Sequence, residues 1–207
     1  MPNSEEELRR IAGEIEACTR CPLSRTRTKP VPGEGPPKAE VMFIGEGPGR
    51  NEDIEGRPFV GRAGDLLNEL LASIRLNRES VYVTNIVKCR PTTASQPVEQ
   101  QPHEAKDRRP TSEEIDACTP YLERQIDLIQ PKVICTLGDT ATRFILERYR
   151  LKAGNISKMH GRIYSAGNLK IVPMYHPAAA LYTAQLKTTM QRDFKKLAGL
   201  LEQTTLG

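Results

Sequence analysis

The chain has 207 residues and carries 30 Lys and Arg against 26 Asp and Glu, a formal charge of +4. This length predicts a single domain over residues 1–207 that is long enough to bury its own core. The slight positive balance permits a nucleic-acid partner without requiring one. No apolar run approaches the roughly 18 residues of a membrane span. Residues 1–10 are charged and carry no signal-peptide pattern, so a soluble cytoplasmic protein with no membrane partner is expected.

Ser4 and Glu7 have capping-box spacing, and Leu8, Ile11, Ala12 and Ile15 recur at helical intervals. They predict a helix from Ser4 to Ala17 that delivers Cys18 at its end. Residues 22–38, rich in Pro, Gly and Arg, predict coil. The apolar run Val41–Ile44 predicts a buried strand. Residues 45–62 predict a long Gly/Pro loop, and loops of that length are functional more often than idle. Residues 63–75 predict a helix with Leu66, Leu67, Leu70 and Leu71 on one face.

Val81–Thr84 predicts a second strand, ending at Asn85. Residues 91–110 are polar, hold four prolines and lack apolar periodicity, which predicts an inserted loop. Thr111 and Glu114 form a second capping box and open a helix through Ile129. A third strand is expected at Val133–Leu137, then a helix over 138–149 and a turn-rich hairpin or loop over 154–167. Ile171–Tyr175 predicts a fourth strand and residues 185–202 a last helix. Apolar strands alternating with helices predict an α/β fold: a three-layer α/β/α arrangement around a central four-stranded, mainly parallel sheet.

Two motifs follow predicted strands directly: Gly45-Glu46-Gly47-Pro48-Gly49 and His176-Pro177-Ala178-Ala179-Ala180. Ligands of parallel α/β sheets bind beyond the carboxyl ends of the strands, so Glu46 and His176 can face one substrate from two strands. Gly45, Gly47 and Gly49 allow a sharp turn and close approach of a ligand. The pattern is neither a dinucleotide fingerprint nor a Walker loop, so phosphate-loop mechanics do not apply. Phe59, inside Gly56–Gly61, is either a core plug or a platform for a flat ligand. Asn85 at a strand end either offers a paired donor and acceptor to a base edge or caps a turn. His103 and His160 belong to no such pattern.

Five cysteines are present, and a reducing cytosol disfavours disulfides among them. Cys18 and Cys21 have Cys-x-x-Cys spacing, while Cys89 and Cys118 have polar neighbours. Four thiolates fit a four-iron cluster or a structural zinc, and unrelated buried thiols are the alternative. Cys135 lies inside an apolar strand and reads as a small core residue.

In order and spacing these residues resemble the iron–sulfur uracil-DNA glycosylases, the thermophile-type group often called family 4. The resemblance is carried by Gly45–Gly49 with Glu52 and Asp53, Gly56–Gly61, Thr84-Asn85, Lys88-Cys89-Arg90-Pro91 and His176–Ala179, and it runs from Cys18 to the last helix. It implies the uracil-DNA glycosylase-like fold and a monofunctional hydrolase of base excision repair. Such an enzyme flips uracil out of single- or double-stranded DNA and cleaves its N-glycosidic bond.

By this resemblance Glu46 holds or activates water and His176 donates to a uracil carbonyl. Phe59 stacks on the base, Asn85 reads its edge, and Gly45, Gly47 and Glu52 complete the binding loop. Ala180 and Leu181, with Tyr182 beside them, correspond to a minor-groove wedge. Cys18, Cys21, Cys89 and Cys118 bind a [4Fe–4S] cluster, and Arg25, Arg27, Lys29 and Arg90 suit phosphates. A monomer is expected, with a replication sliding clamp as a candidate partner.

The chain departs from the family in the 28 residues between Cys89 and Cys118, a longer gap that holds His103, Lys106, Arg108 and Arg109. A related group uses a loop histidine here to capture DNA covalently. Because Cys89 is present and Pro102 and Glu104 flank His103, hydrolysis is expected instead. The competing classes are a non-enzymatic iron–sulfur or zinc-stabilised module and a nucleotide-binding α/β protein. An electron carrier needs no Glu46, Phe59, Asn85 and His176 at strand ends, and a zinc protein is colourless where a cluster is brown.

Overall fold

The computed structural model describes residues 3–94 and 105–205. Its helices are α1 (Ser4–Glu16), α2 (Arg50–Glu55), α3 (Arg62–Ala72), α4 (Ser112–Ile129), α5 (Asp139–Arg148), α6 (Ile156–Met159), α7 (Pro177–Ala180) and α8 (Ala184–Thr205). Its strands are β1 (Val41–Gly45), β2 (Tyr82–Asn85), β3 (Val133–Leu137), β4 (Tyr164–Ala166) and β5 (Leu169–Met174).

Cap chemistry sets where the helices begin. The Asn3 side-chain oxygen accepts from the N–H groups of Glu5 (2.7 Å) and Glu6 (3.2 Å), and the Glu6 carboxylate accepts the Asn3 N–H at 3.0 Å. The capping box therefore lies one residue before the expected Ser4–Glu7 pair, because the amide of Asn3 reaches two orphan N–H groups and leaves Ser4 as the first helical residue. At α4 the expected pair forms. Thr111 Oγ1 accepts the Glu114 N–H at 3.3 Å, and Glu114 accepts the Thr111 N–H at 2.8 Å.

The sheet order is β2-β1-β3-β5-β4. β2, β1, β3 and β5 run parallel, as expected. The expected four strands become five, because β4 pairs antiparallel with β5 through Tyr164–Ile171 and Ala166–Leu169. Three residues are too few for an alternating pattern to stand out in sequence. The 45–62 segment likewise contains α2, whose Arg50–Glu55 sequence has no apolar period to announce it.

The parallel strands are buried on both faces. Val41, Phe43, Cys135 and Val172 pack with α3 and α8, where the rings of Phe43 and Phe194 stack at 5.8 Å. Met42, Ile44, Ile134 and Ile171 pack with α4 and α5 on the other side. Cys135 is fully buried in this three-layer core, as its strand position predicts. Ile11 and Ile15 of α1 pack on Tyr121 of α4. The described ends of the 91–110 insertion are tied together by a Thr92–Asp107 bridge, and His103 lies outside the described residues.

Phe194→Ala empties one side of this core and is expected to lower stability by about 3–5 kcal/mol. Thr111→Ala removes only a cap and should lower it by about 1 kcal/mol. Denaturant unfolding of the two variants measures both, and equal losses would contradict the assignment.

Candidate active site

The carboxyl ends of the parallel strands share one edge of the sheet. β1 stops at Gly45 beside β2 at Asn85; β5, across β3, stops at Met174, two residues before His176. A cleft of about 230 Å³ opens there, lined by Glu46, Gly47, Glu52, Phe59, Asn85 and His176 among others. Six of the seven residues expected to catalyse or to bind substrate thus share one space. The seventh, Gly45, lies beneath it: a Cβ there would fall 2.3 Å from Asn85 Oδ1 and 2.8 Å from the Phe59 ring.

Phe59 sits both in the core and at the cleft. It is 7% exposed and joins the core, yet its ring lines the cleft and stacks on His176 at 5.5 Å. Its φ of 51° is a left-handed conformation that costs a bulky residue roughly 1–3 kcal/mol. The surroundings enforce that conformation. Gly64 packs so closely that a Cβ on it would lie 1.8 Å from the Phe59 carbonyl oxygen. Arg78 donates to the Pro58 carbonyl at 2.6 Å, and Glu52 accepts from Val60 N–H at 2.9 Å and from Gly49 N–H at 3.1 Å. Burial raises the Glu52 pKa, against which its backbone donors pull. Asp53, fully buried, accepts the Thr28 N–H and anchors the same segment to the preceding coil.

His176 caps α7. Its Nδ1 accepts the Ala178 N–H at 3.2 Å, which leaves the proton on Nε2 as a donor. Burial pushes its pKa down to about 4, so the ring is neutral at physiological pH. Asn85 is 1% exposed, and its Oδ1 has no hydrogen-bond partner among the described residues. A buried acceptor without a donor is costly, so such groups call for an explanation.

Two contributions have little local signature in the sequence. The buried Lys88 ammonium donates to the Asn85 carbonyl (2.8 Å), Thr84 Oγ1 (2.6 Å) and Gln125 Oε1 (2.8 Å), and so fixes the end of β2. Its apolar flank, Ile86-Val87, is the one hint that it turns inward. Pro91, Asp107 and Arg108 form a wall of the cleft from the ends of the insertion, a placement that only the folded chain reveals.

Cys18, Cys21, Cys89 and Cys118 line a second, smaller cavity with Ile15 and Tyr121. Arg27 donates to Cys89 Sγ at 3.1 Å, and the Lys88 N–H to Cys118 Sγ at 3.4 Å. Burial raises the Cys89 thiol pKa to about 12 against the pull of Arg27, and raises that of Cys118. Among the described residues, no three His, Cys, Asp or Glu side chains gather as tightly as a single metal ion requires.

The family model described as the uracil DNA glycosylase superfamily matches residues 32–198. The chain belongs to the uracil DNA glycosylase superfamily. Among its relatives, the type-4 uracil-DNA glycosylase of Archaeoglobus fulgidus is 45% identical over 199 residues, covering 94% of either chain. That of Sulfurisphaera tokodaii is 44% identical over 200 residues, covering 94% of this chain and 85% of the relative. That of Thermotoga maritima is 39% identical over 204 residues, covering 97% and 98%.

Around the cleft of this superfamily member, the residues expected at the surface divide. Ala180 is 6% exposed and Leu181 packs partly against the core, whereas Tyr182 is 83% exposed. Its ring centroid lies 5.9 Å from the Arg62 guanidinium. A buried methyl cannot enter a base stack, so Ala180 is not available as a wedge. Arg90 is 3% exposed and bonded to Asp107, which removes it from the expected phosphate contacts. Arg27 is engaged with Cys89 and the Glu16 carbonyl, while Arg25 and Lys29 remain exposed.

His176 also sets a pH dependence. Its folded pKa of about 4 lies below the usual value of 6.5, so the unfolded chain takes up the proton first as pH falls. Stability is expected to decline between pH 6.5 and about 4, by up to roughly 3 kcal/mol from this residue. Denaturant midpoints across that range should fall less steeply in His176→Asn; identical slopes would contradict a neutral ring with a lowered pKa.

Proposed function

We propose that this protein removes uracil from DNA by hydrolysing its N-glycosidic bond, leaving an abasic site for base excision repair. The observation that carries the reading is the open Oδ1 of Asn85 at the floor of a cleft with an aromatic platform and a neutral imidazole donor. Uracil presents an N3–H donor beside its O4 acceptor, and one amide can satisfy both. Cytosine presents an acceptor and an amino group in those places and leaves the same amide facing like against like. Discrimination of this kind is strong because the rejected partner leaves buried polar groups unpaired.

The chemistry follows from the remaining groups. The base must leave the duplex to reach the cleft, where Phe59 stacks on it. As the C1′–N1 bond breaks, its electron pair moves onto the base. His176 Nε2–H donates to the uracil carbonyl that gains this charge, and a neutral donor does so without giving up its proton. Glu46 orients water at C1′ and takes its proton, while Glu52 keeps the Gly49–Val60 segment in place. Tyr182, the exposed side chain after α7, fills the vacated stack, with Leu181 packed behind it. The substrate is uracil-containing DNA, single- or double-stranded.

The four cysteines fit a [4Fe–4S] cluster better than zinc. A single zinc gathers four sulfurs about 2.3 Å from one point, whereas a cluster gives each thiolate its own iron and spreads the sulfurs apart. Cys18, Cys21, Cys89 and Cys118 would hold the cluster, and the N–H donors from Arg27 and Lys88 would support its sulfurs. When bound it would supply iron–thiolate bonds that tie α1, the turn after it, the segment after β2 and α4 together.

The test is release of uracil from an oligonucleotide with one uracil, read as strand scission after alkali. Wild type should cut, with His176→Ala and Glu46→Ala slower by roughly 100-fold or more. No scission in any uracil context by iron-replete protein would overturn the reading. Cys118→Ser should lower bound iron and sulfide and the melting temperature together. Unchanged iron in that variant would remove Cys118 from the ligand set.

A further inference from the structure

The insertion returns to the sheet beside the cleft. The Thr93 N–H donates to the Lys106 carbonyl at 2.9 Å, and the Arg108 N–H to that of Pro91 at 3.1 Å. This pairing brings Asp107 to the cleft wall. Arg90 Nε donates to Asp107 Oδ1 at 2.6 Å, and a second Arg90 nitrogen donates to the Ala105 carbonyl at 3.2 Å. The Arg90 side chain is 3% exposed, and that of Asp107 is 59% exposed. A buried guanidinium thus holds one carboxylate oxygen, while Oδ2 accepts no hydrogen bond from the described residues. Oδ2 stands 3.9 Å from the place a Gly49 Cβ would occupy, against the glycine loop. Its charge is one of the influences raising the Glu52 pKa, after burial.

We propose that Asp107 is a further catalytic residue, whose open carboxylate oxygen faces the deoxyribose of the flipped nucleotide and stabilises positive charge at C1′. The inference rests on the glycosylase reading above. The deep end of the cleft, floored by Phe59, Asn85 and His176, takes the base. The sugar then lies further out, where Glu46, Gly49 and Asp107 line the walls. A carboxylate at that rim opposes binding, because DNA brings phosphates with it. It becomes favourable only when the sugar turns cationic. When the C1′–N1 electron pair leaves with the base, C1′ carries the charge until water adds and gives its proton to Glu46. A group of this kind favours the transition state over bound substrate and acts on kcat rather than KM.

Asp107→Asn separates charge from anchoring, since its amide oxygen still accepts from Arg90. Single-turnover excision by Asp107→Asn should fall roughly 10- to 100-fold. Binding of uracil DNA should be unchanged or tighter, with iron content and melting temperature as in wild type. Asp107→Glu should recover part of the rate. A wild-type rate in Asp107→Asn would overturn the proposal. So would a rate loss that tracks lost iron or a lowered melting temperature, because Asp107 would then be only an anchor. Failure of wild type itself to release uracil is a different result and would strike the glycosylase reading instead.

Discussion

The whole site depends on the absence of one methyl group. Gly45 ends β1 where the Asn85 amide and the Phe59 ring converge, and a Cβ there would overlap both. That close approach sets the amide and the ring on one floor. The rest of the architecture maintains it: parallel pairing puts Gly45 opposite Asn85, Gly64 leaves room for the Phe59 backbone to approach, and Glu52 ties the loop ends. Interiors packed this densely transmit small displacements rather than absorb them. A shift of about 1 Å in a reacting group is enough to lose two orders of magnitude in rate.

A second constraint joins the cleft to the cysteines. Lys88 is a fully buried cation whose three acceptors are all neutral oxygens. Burial lowers its pKa to about 7, and the nearby Cys118 charge opposes that shift. Isolating a charge in this way costs several kcal/mol unless negative charge lies close by. Thiolates gathered around the adjoining cavity would supply it. The same residue holds the Asn85 carbonyl with its side chain and meets Cys118 Sγ with its backbone N–H. The segments around the cysteines and the end of β2 at Asn85 are therefore mechanically connected.

What could be read in the sequence follows from how local each signal is. Val41–Ile44 and Ile171–Tyr175 are unbroken apolar runs ending in Gly or His turns, so the strand ends and their motifs were legible together. Thr111–Glu114 is a complete local signal and lies where it was expected, whereas Ser4–Glu7 was outcompeted by Asn3 one residue earlier. β4 and α2 are too short for their periodicity to register. Tyr182 and Ala180 look alike as wedge candidates until exposure separates them. Asp107 carries no local signal at all, since its place depends on how a polar insertion folds back on Arg90 and Pro91. Arg90 suits a phosphate contact in sequence for the same reason: a basic residue beside Cys89 gives no sign that its partner is seventeen positions away.

The most direct measurement is excision of a single uracil by Gly45→Ala beside wild type, with melting curves for both. If the close approach at Gly45 sets the site, the added methyl should lower excision by roughly 100-fold or more while the protein remains folded at the assay temperature. Wild-type excision by a folded Gly45→Ala protein would contradict the account, because Asn85 and Phe59 would then not need the positions that glycine permits.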